Sequence, residues 1–391
     1  MKIIIVGGHL APALAIIERL PKNAQILFIG RKYAMEGDKA LSFEYQKITE
    51  LGIRFISLTT GRLQRKLTRF TLYSLFKLPI GFVQAFQILS DYKPDVIVCF
   101  GGYVQIPVAA AAYILHIPLI IHEQTRKVGL ANKLITPFAK TICISWPESV
   151  GYFPPKKTIL TGLPLRKEFF QNEHKPPRSR GKVIYITGGS LGSHVINVLI
   201  EGTLKKLLKK FYLIHQTGDS KKYNDYERLK KIKEMLPGSL QARYKLVKFI
   251  DPKDTAWIMN SADLVISRSG MNTVAELMCL EKACLLIPLP YGQTSEQLNN
   301  ALSLEKLGIG RVLRQKELTP EILYSQITQF IAKLDSSRFK RDRIVQAKKL
   351  IKYDAAEKIV KIILKIIKQQ NPSKNNEQHK DIGRASGSIV P

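Results

Sequence analysis

Short apolar runs alternating with segments of helical period predict an α/β chain of two doubly wound, Rossmann-like domains facing a cleft. Three observations carry this reading. The alternation runs nearly the whole length of the chain. It is broken at 164–182, "PLRKEFFQNEHKPPRSRGK", a stretch rich in proline and charge with no period, and then restarts. Both halves place adjacent glycines where a strand hands over to a helix. A length of 391 residues leaves room for two domains, and 45% apolar content excludes a wholly disordered chain.

The first set of predicted strands is 2–6, 25–29, 54–57, 95–99, 119–121, 141–145 and 158–160. The second is 183–187, 212–216, 244–249, 264–266, 284–288 and 310–313. Such strands, separated by helix-length segments, form parallel sheets covered on both faces, with ligands beyond their carboxyl ends. The apolar run "YVQIPVAAAAYILHIPLII" at 103–121 is interrupted by Pro107, His116 and Pro118, so it reads as a buried helix, a turn and a strand. The expected organisation is a first domain at 1–163, a linker at 164–182 and a second domain at 183–338. A Lys-rich helical segment at 339–368 and a polar, disordered tail at 369–391 follow.

The formal net charge is +30, from 61 basic and 31 acidic residues. That predicts attraction to a polyanion, either nucleic acid or an anionic membrane surface, unless the lysine bias is general to the lineage. The cysteines Cys99, Cys143, Cys279 and Cys284 form no C-x-x-C pair, which fits buried thiols in a reducing compartment and no zinc site. "MKIIIV" before Gly-Gly-His reads as a first strand, not a signal peptide, and no transmembrane span is expected.

The chemistry-bearing stretches lie at strand ends. "IVGGHLAP", "CFGGYVQIP" and "ITGGSLGSHVIN" each let backbone turn tightly and approach a ligand, and a helix start after such a loop offers free N–H groups to phosphate. None fits G-x-G-x-x-G or the P-loop, so NAD and ATP fingerprints are absent. "LVISRSGMNTVAEL" at 264–277 puts Arg268 and Gly270 at a strand-to-helix turn with Glu276 inside the helix, a pattern for something anionic and hydroxylated. Arg268 either adds charge or tethers its loop.

These pieces resemble the MurG family of N-acetylglucosaminyltransferases, over roughly residues 1–335. The matching segments are "GGHLAPALA", "GGYVQIPVAAAA", "IPLIIHEQ", "GLANK", "TGLPLR", "GGSLGSHVIN", "RSGMNTVAE" and "EQLNNA", in the family's order. The resemblance implies the glycosyltransferase-B architecture, an α-linked UDP-GlcNAc donor, the lipid-linked acceptor lipid I, and no cofactor. It implies that Glu276 accepts hydrogen bonds from the ribose, and that backbone at Gly270, Met271, Asn272 and Thr273 approaches the diphosphate, as does Ser190. Arg166 then lies by the donor, Gln297 addresses the sugar, and Ile250 presents backbone to the uracil unless it is simply core.

Inverting transfer to the acceptor C4 hydroxyl requires a base and stabilisation of departing UDP. The chain has no Asp-x-Asp, which argues against a metal clamp and for helix dipoles and arginine. His9 is the base candidate, its alternative role being to hydrogen-bond its loop; Glu123 is the reserve. Beside Glu123, His122 is read as positioning substrate. Two departures stand out. The family's first loop reads Gly-Gly-Thr-Gly-Gly-His, whereas Val6 directly precedes Gly7-Gly8-His9, so half of a loop expected to hold the acceptor pyrophosphate is missing. Thr125 stands where the family has Asn.

Residues 51–90 carry basic residues, no acidic ones and interleaved aromatics. Arg62, Arg65, Arg69, Phe70, Leu72, Tyr73 and Phe76 read as a membrane-contact surface, with 72–82 partly exposed and 83–89 core. The expected place is therefore the cytoplasmic face of the bacterial plasma membrane, peripheral. Competing readings are a UDP-GlcNAc 2-epimerase, a non-catalytic sugar-nucleotide-binding relative, and an RNA-binding protein. The last lacks any RNP, KH or zinc motif, so no nucleic-acid partner is expected.

Overall fold

A computed structural model describes residues 1–33, 41–60, 69–170, 181–189, 192–220, 222–290, 295–335 and 351–370, with backbone only for 69–78 and 335. Two compact units result, one from residues 1–164 together with the helix Ala355–Gln370, the other from Leu165–Tyr353.

In the first unit, β1 (Lys2–Val6), β2 (Gln25–Gly30), β3 (Arg54–Ser57), β4 (Val96–Cys99), β5 (Leu119–Glu123), β6 (Thr141–Ile144) and β7 (Thr158–Leu160) form one sheet. Its order is β3-β2-β1-β4-β5-β6-β7, every pair parallel. The apolar runs are continuous because helices cover both faces. Ile4 and Val6 of β1 pack with Leu89, Val108 and Ala112 on one face. Ile3 and Ile5 pack with Ala13, Ile16 and the final helix on the other.

In the second unit, β8 (Val183–Thr187), β9 (Tyr212–Gln216), β10 (Tyr244–Val247), β11 (Leu264–Ser267), β12 (Cys284–Leu286) and β13 (Gly310–Val312) pair in parallel, in the order β10-β9-β8-β11-β12-β13. All the strands expected from the apolar runs are present. β5 runs two residues further than expected because His122 and Glu123 are buried and still paired to Cys143 and Ile144. β10 and β12 stop earlier, at Val247 and Leu286.

Each sheet reverses its strand order once, between β1 and β4 and between β8 and β11. At such a switch point the adjacent crossovers leave to opposite sides and open a crevice at the carboxyl ends of the strands. Gly7-Gly8-His9 follows β1 and Gly101-Gly102 follows β4. Gly188-Gly189 follows β8, and Arg268 to Gly270 follow β11. The loops singled out by their glycines therefore lie where the topology leaves space.

Three sequence expectations change. The segment 339–368 was expected to stand alone; its described part, within Ala355–Gln370, buries Ile359, Ile363 and Ile366 in the core of the first unit, and Arg19 pairs with Glu357. The first residues of the expected linker are packed rather than free. Phe169 is buried, and its carbonyl accepts from the Cys279 thiol. Val83 was expected in the core, but on the helix Arg69–Tyr92 it is 53% exposed, as Ile80 is at 51%; Ala85 and Leu89 face inward instead. That register follows the contact of Gly81 with Thr59 and Thr60, which turns residues 80 and 83 outward. All four cysteines are buried free thiols. Among the described residues, no helix is long and apolar enough to cross a membrane.

Ile363→Ala should cost about 2–5 kcal/mol, because it leaves a cavity in a fully buried site. Lys361→Ala on the same helix is exposed and should stay within about 0.5 kcal/mol. Denaturant melts of the two variants check this, and equal midpoints would detach the final helix from the core.

Candidate active site

The first switch point is built from backbone in contact with backbone. A Cβ on Gly8 would lie 2.3 Å from the Gly101 carbonyl oxygen, and one on Gly101 would lie 2.9 Å from His9 Nδ1. Gly8, Gly101 and Gly102 also have positive φ (+153°, +90° and +78°), so only glycine fits here. His9 is the residue before the helix Leu10–Ile17 and lies half-buried. Its Nδ1 is 2.7 Å from the Phe100 carbonyl. A carbonyl can only accept, so Nδ1 carries the proton and the neutral ring keeps its lone pair on Nε2. The loop-bonding role and the base role weighed for His9 are thus compatible, one for each nitrogen.

Glu123, the reserve base, is 2% exposed and surrounded by donors. Oε1 receives the Thr125 N–H at 2.9 Å and lies 2.7 Å from the Thr125 hydroxyl; Oε2 receives the Gly129 N–H at 3.0 Å and Asn132 Nδ2 at 2.9 Å. Thr125 is itself 7% exposed, with its hydroxyl also 2.6 Å from the Lys127 carbonyl. These contacts shape the loop after β5. They continue through Asn132, whose Oδ1 accepts from Gln105 Nε2 at 2.6 Å, to Gln105, whose Oε1 accepts from the Gly101 N–H at 3.0 Å. One buried chain of hydrogen bonds thus joins Glu123 to the glycine that touches His9. His122 is 1% exposed with Nε2 near Ser145 Oγ at 3.1 Å, and burial pushes its pKa down to about 3, so it stays neutral.

In the second unit, Gly189 and Gly192 have φ of +84° and +74°, and a Cβ on Gly192 would meet the Thr217 carbonyl oxygen at 1.9 Å. Ser190, between them, lies outside the described residues. Gly270 precedes the helix Met271–Cys279, which has no side-chain cap, so the first N–H groups at Met271, Asn272 and Thr273 are left for another acceptor. Met271 buries its side chain, and only its backbone is offered. Arg268 donates to Ser193 Oγ at 3.1 Å and to the Ile287 carbonyl at 2.9 Å, bridging this turn to the glycine loop while keeping its charge, although burial pulls its pKa down to about 10. Ser269 Oγ donates to the Gln297 carbonyl at 2.7 Å, and Gln297 Oε1 accepts from Leu289 N at 3.1 Å, leaving the Gln297 side-chain amide N–H groups as its donors. Ile250 is half-buried in the turn before the helix Pro252–Ser261, beyond the end of β10.

Glu276 is 8% exposed, and no group among the described residues donates a hydrogen bond to its carboxylate. Burial pushes its pKa up to about 7, against the pull of the Arg166 guanidinium. Arg166 is itself 6% exposed, with its guanidinium over the Phe169 ring at 5.2 Å.

The structure therefore groups Gly7, Gly8 and His9 with the network from Glu123, and groups Arg166, Arg268, Gly270 to Thr273, Glu276 and Gln297 within the second unit. Arg62 and Arg65 lie outside the described residues, and of Arg69, Phe70, Leu72, Tyr73 and Phe76 only the backbone is described, in the helix Arg69–Tyr92. Sequence reasoning missed two features. His194 and His215 carry no mark of function in the sequence, yet both join a network around the buried Asn197 and Asp225. Asn197 Nδ2 donates to Asp225 at 2.8 Å and to the Thr217 carbonyl at 3.1 Å, so its Oδ1 accepts from His215 Nε2 at 3.0 Å. His194 Nδ1 lies 2.8 Å from Asp225. The other missed residue is Glu44, which accepts the Gly8 N–H at 3.1 Å. Its signal was a carboxylate two residues after a Ser N-cap, which is common enough to carry no function by itself.

Comparison with known proteins places the chain among glycosyltransferases. Residues 6–144 match the glycosyltransferase family 28 N-terminal domain, and residues 183–359 match the C-terminal domain of that family. A Clostridium perfringens (strain 13) protein named UDP-N-acetylglucosamine–N-acetylmuramyl-(pentapeptide) pyrophosphoryl-undecaprenol N-acetylglucosamine transferase is 37% identical, over 83% of this chain and 89% of the relative. A Clostridium tetani protein of the same name is 34% identical, over 87% of this chain and 94% of the relative. Among solved structures, Acinetobacter baumannii MurG superposes with a TM-score of 0.64 at 24% identity, over 93% of this chain and all of that one. A UDP-GlcNAc 2-epimerase from Neisseria meningitidis has the same fold, with a TM-score of 0.56 at 16% identity, over 93% of this chain and 100% of that one.

The Glu276 carboxyl should titrate near 7, two units or more above an exposed glutamate, and Arg166→Met should move it higher by removing the cation that favours ionisation. Carbon-detected NMR of glutamate-labelled protein, with Glu276→Gln to assign the signal, reads this. A midpoint near 4.5 would mean that the carboxylate is solvated.

Proposed function

This chain belongs to glycosyltransferase family 28, in its MurG branch of N-acetylglucosaminyltransferases that serve lipid II synthesis, and from that premise we propose an inverting, metal-independent transfer of GlcNAc from UDP-GlcNAc to the C4 hydroxyl of MurNAc in lipid I. The observation that carries the mechanism is the tautomer of His9. With Nδ1–H bound to the Phe100 carbonyl, Nε2 is ready to take the proton of the attacking hydroxyl. The oxygen attacks the anomeric carbon as the bond to the β-phosphate oxygen breaks, and the configuration inverts. The charge that develops on UDP meets the open helix start at Met271 to Thr273 and the Arg268 cation. Glu276, whose oxygens receive no donor among the described residues, is suited to a vicinal diol such as the ribose. Arg166 favours the ionised form of that carboxylate against its burial. Gln297 then offers its amide to the sugar, Ile250 its backbone to the base, and Ser190 and the glycine loop their donors to the diphosphate.

Glu123 and Thr125 serve in this reading as the brace of the acceptor side rather than as a reserve base, because proton uptake by Glu123 would break its bonds to Gly129 and Asn132. A lipid-linked acceptor calls for a membrane-facing surface. The exposure of Ile80 and Val83 on the helix that also carries Arg69, Phe70, Leu72, Tyr73 and Phe76 supports one. The proposed location is accordingly peripheral, at the cytoplasmic face of the plasma membrane, with no nucleic-acid partner.

The first experiment incubates protein with radiolabelled UDP-GlcNAc and a short-chain lipid I analogue, with and without chelator. Label should move to the lipid in both. Label retained on a soluble sugar nucleotide would favour the epimerase reading. His9→Gln should lower kcat by about 10²–10⁴-fold with unchanged UDP affinity; retained turnover would remove His9 as the base. UDP affinity should fall as pH drops through about 7, where Glu276 becomes protonated, and Glu276→Gln should bind weakly at every pH. Calorimetric titration at several pH values checks both. Anionic vesicles should co-sediment the protein, and less of it as salt rises.

A further inference from the structure

The sequence raises a question that the proposed reaction leaves open: what replaces the missing half of the first glycine loop? The structure places a carboxylate there. Ser42 fastens the helix Phe43–Glu50 to the end of β2, its N–H donating to the Lys32 carbonyl and its hydroxyl to the Arg31 carbonyl. Glu44, in the first turn, is thereby directed under the glycine loop. Oε1 accepts the Gly8 N–H at 3.1 Å and Oε2 the Arg31 N–H at 3.2 Å. The fit is close, since a Cβ on Gly7 would lie 2.1 Å from Oε1 and one on Gly30 would lie 2.5 Å from Oε2. Above the carboxylate is an open concavity of about 150 Å³ lined by Gly7, Gly8, Gly30, Arg31, Gly102 and Tyr103, with Glu44 in its wall.

This arrangement decides what the pocket can accept. A phosphate on this loop would need the Gly8 N–H, and the chain's own anion already holds it. A second anion would also meet the Glu44 charge at short range in a partly desolvated site, and the Arg31 cation in the same lining, already acting on Glu44, offsets only part of that repulsion. A carboxylate has about four acceptor positions, and among the described residues Glu44 uses two of them, both on backbone. Glu123, by contrast, receives three N–H donors and shares the single Thr125 hydroxyl proton with the Lys127 carbonyl. The two remaining positions on Glu44 fit hydroxyl or amide donors.

We propose that Glu44 is an acceptor-recognition residue that receives the hydroxyl face of the incoming sugar at the ends of β1, β2 and β4 and keeps the acceptor's diphosphate off the shortened glycine loop. The inference rests on the transferase reading above. The ligand of this pocket is therefore a neutral sugar ring that presents hydroxyl or acetamide N–H donors, and the acceptor phosphates bind elsewhere. Burial raises the Glu44 pKa, so recognition weakens toward acid as the carboxylate gains a proton and loses acceptor capacity.

The test compares full-length wild type with Glu44→Gln and Glu44→Ala, using thermal melts and UDP affinity as controls for folding. With the lipid I analogue, the acceptor KM should rise about tenfold or more in both variants while the KM for UDP-GlcNAc stays put. The acceptor KM of wild type should climb as pH falls, and that of Glu44→Gln should be flat. Inorganic pyrophosphate should not compete with acceptor in wild type, and should compete in Glu44→Ala, where the Gly8 N–H is released. An unchanged acceptor KM in the variants, or competition by pyrophosphate in wild type, overturns the assignment. If wild type transfers nothing to the lipid, the transferase reading fails by itself. The Glu44 inference is then decided by NMR of the glycine-loop amides with pyrophosphate, where binding to wild type overturns it and binding to Glu44→Ala alone upholds it.

Discussion

The chemical end of the first domain depends on one contact, that of the Gly7-Gly8 turn with the Gly101-Gly102 turn. Parallel order brings β1 and β4 side by side at the point where the sheet reverses, so the turns that leave them must cross at backbone distance. Any side chain at Gly8 would collide with the Gly101 carbonyl. The packing of these turns places the Phe100 carbonyl under His9 and so decides which ring nitrogen is free. Gly101 is in turn held by Gln105, Gln105 by Asn132, and Asn132 by Glu123. A buried chain of this kind is stable only when every member is satisfied. The donors around Glu123 are what let the three side chains Gln105, Asn132 and Glu123 sit buried together.

Two buried glutamates and one half-buried glutamate separate by how many donors reach them. Glu123 receives three N–H donors and a shared hydroxyl and braces a loop. Glu44 is half-satisfied by backbone, which fixes its position and leaves it able to accept from a ligand. Glu276 has an arginine nearby and no donor among the described residues, and burial accordingly brings its pKa to about 7. Leaving a buried carboxylate without donors costs stability, and such sites persist where a ligand supplies the missing bonds. Residue type alone would have ranked the three equally, whereas the donor count ranks them by availability.

Much of this was legible in the sequence. Parallel strands buried on both faces are written as continuous apolar runs, so every strand was found, and the glycine pairs marked the turns at both switch points. His9 and Glu276 stood out because a titratable side chain beside such a turn has few purely structural reasons to be there. What was not legible depends on contacts distant in sequence. Glu44 reaches Gly8 across 36 positions, and Asn197 joins Asp225 across 28 and His215 across 18. Periodicity cannot reveal such pairings, because each partner looks ordinary in its own segment. The final helix was read as a separate element for the same reason: its apolar stripe matches a face formed by residues more than 300 positions earlier, as the Arg19–Glu357 pair at a separation of 338 shows. Val83 was misplaced because helical spacing gives a period but no absolute phase, and the phase here follows the approach of Gly81 to Thr59.

The partner of His9 also bears on how the proposed reaction divides its work. A carboxylate behind an imidazole stabilises the imidazolium formed on proton uptake, as in triads of the serine-protease kind. Here the partner is a backbone carbonyl, which orients the ring and fixes its tautomer but adds only a dipole against the new charge. The nearest further imidazole, His122, is held neutral by burial and cannot share the proton. In the proposed reaction a base so arranged gains little stabilisation of its imidazolium from its partner, which places more weight on the groups that receive the leaving diphosphate. Those groups are mainly backbone N–H donors at a helix start, with one arginine tied by its hydrogen bonds into the same turn. In the proposed reaction the leaving diphosphate is thus received largely by backbone that substitution cannot easily alter, whereas the acceptor side is proposed to depend on side chains such as Glu44.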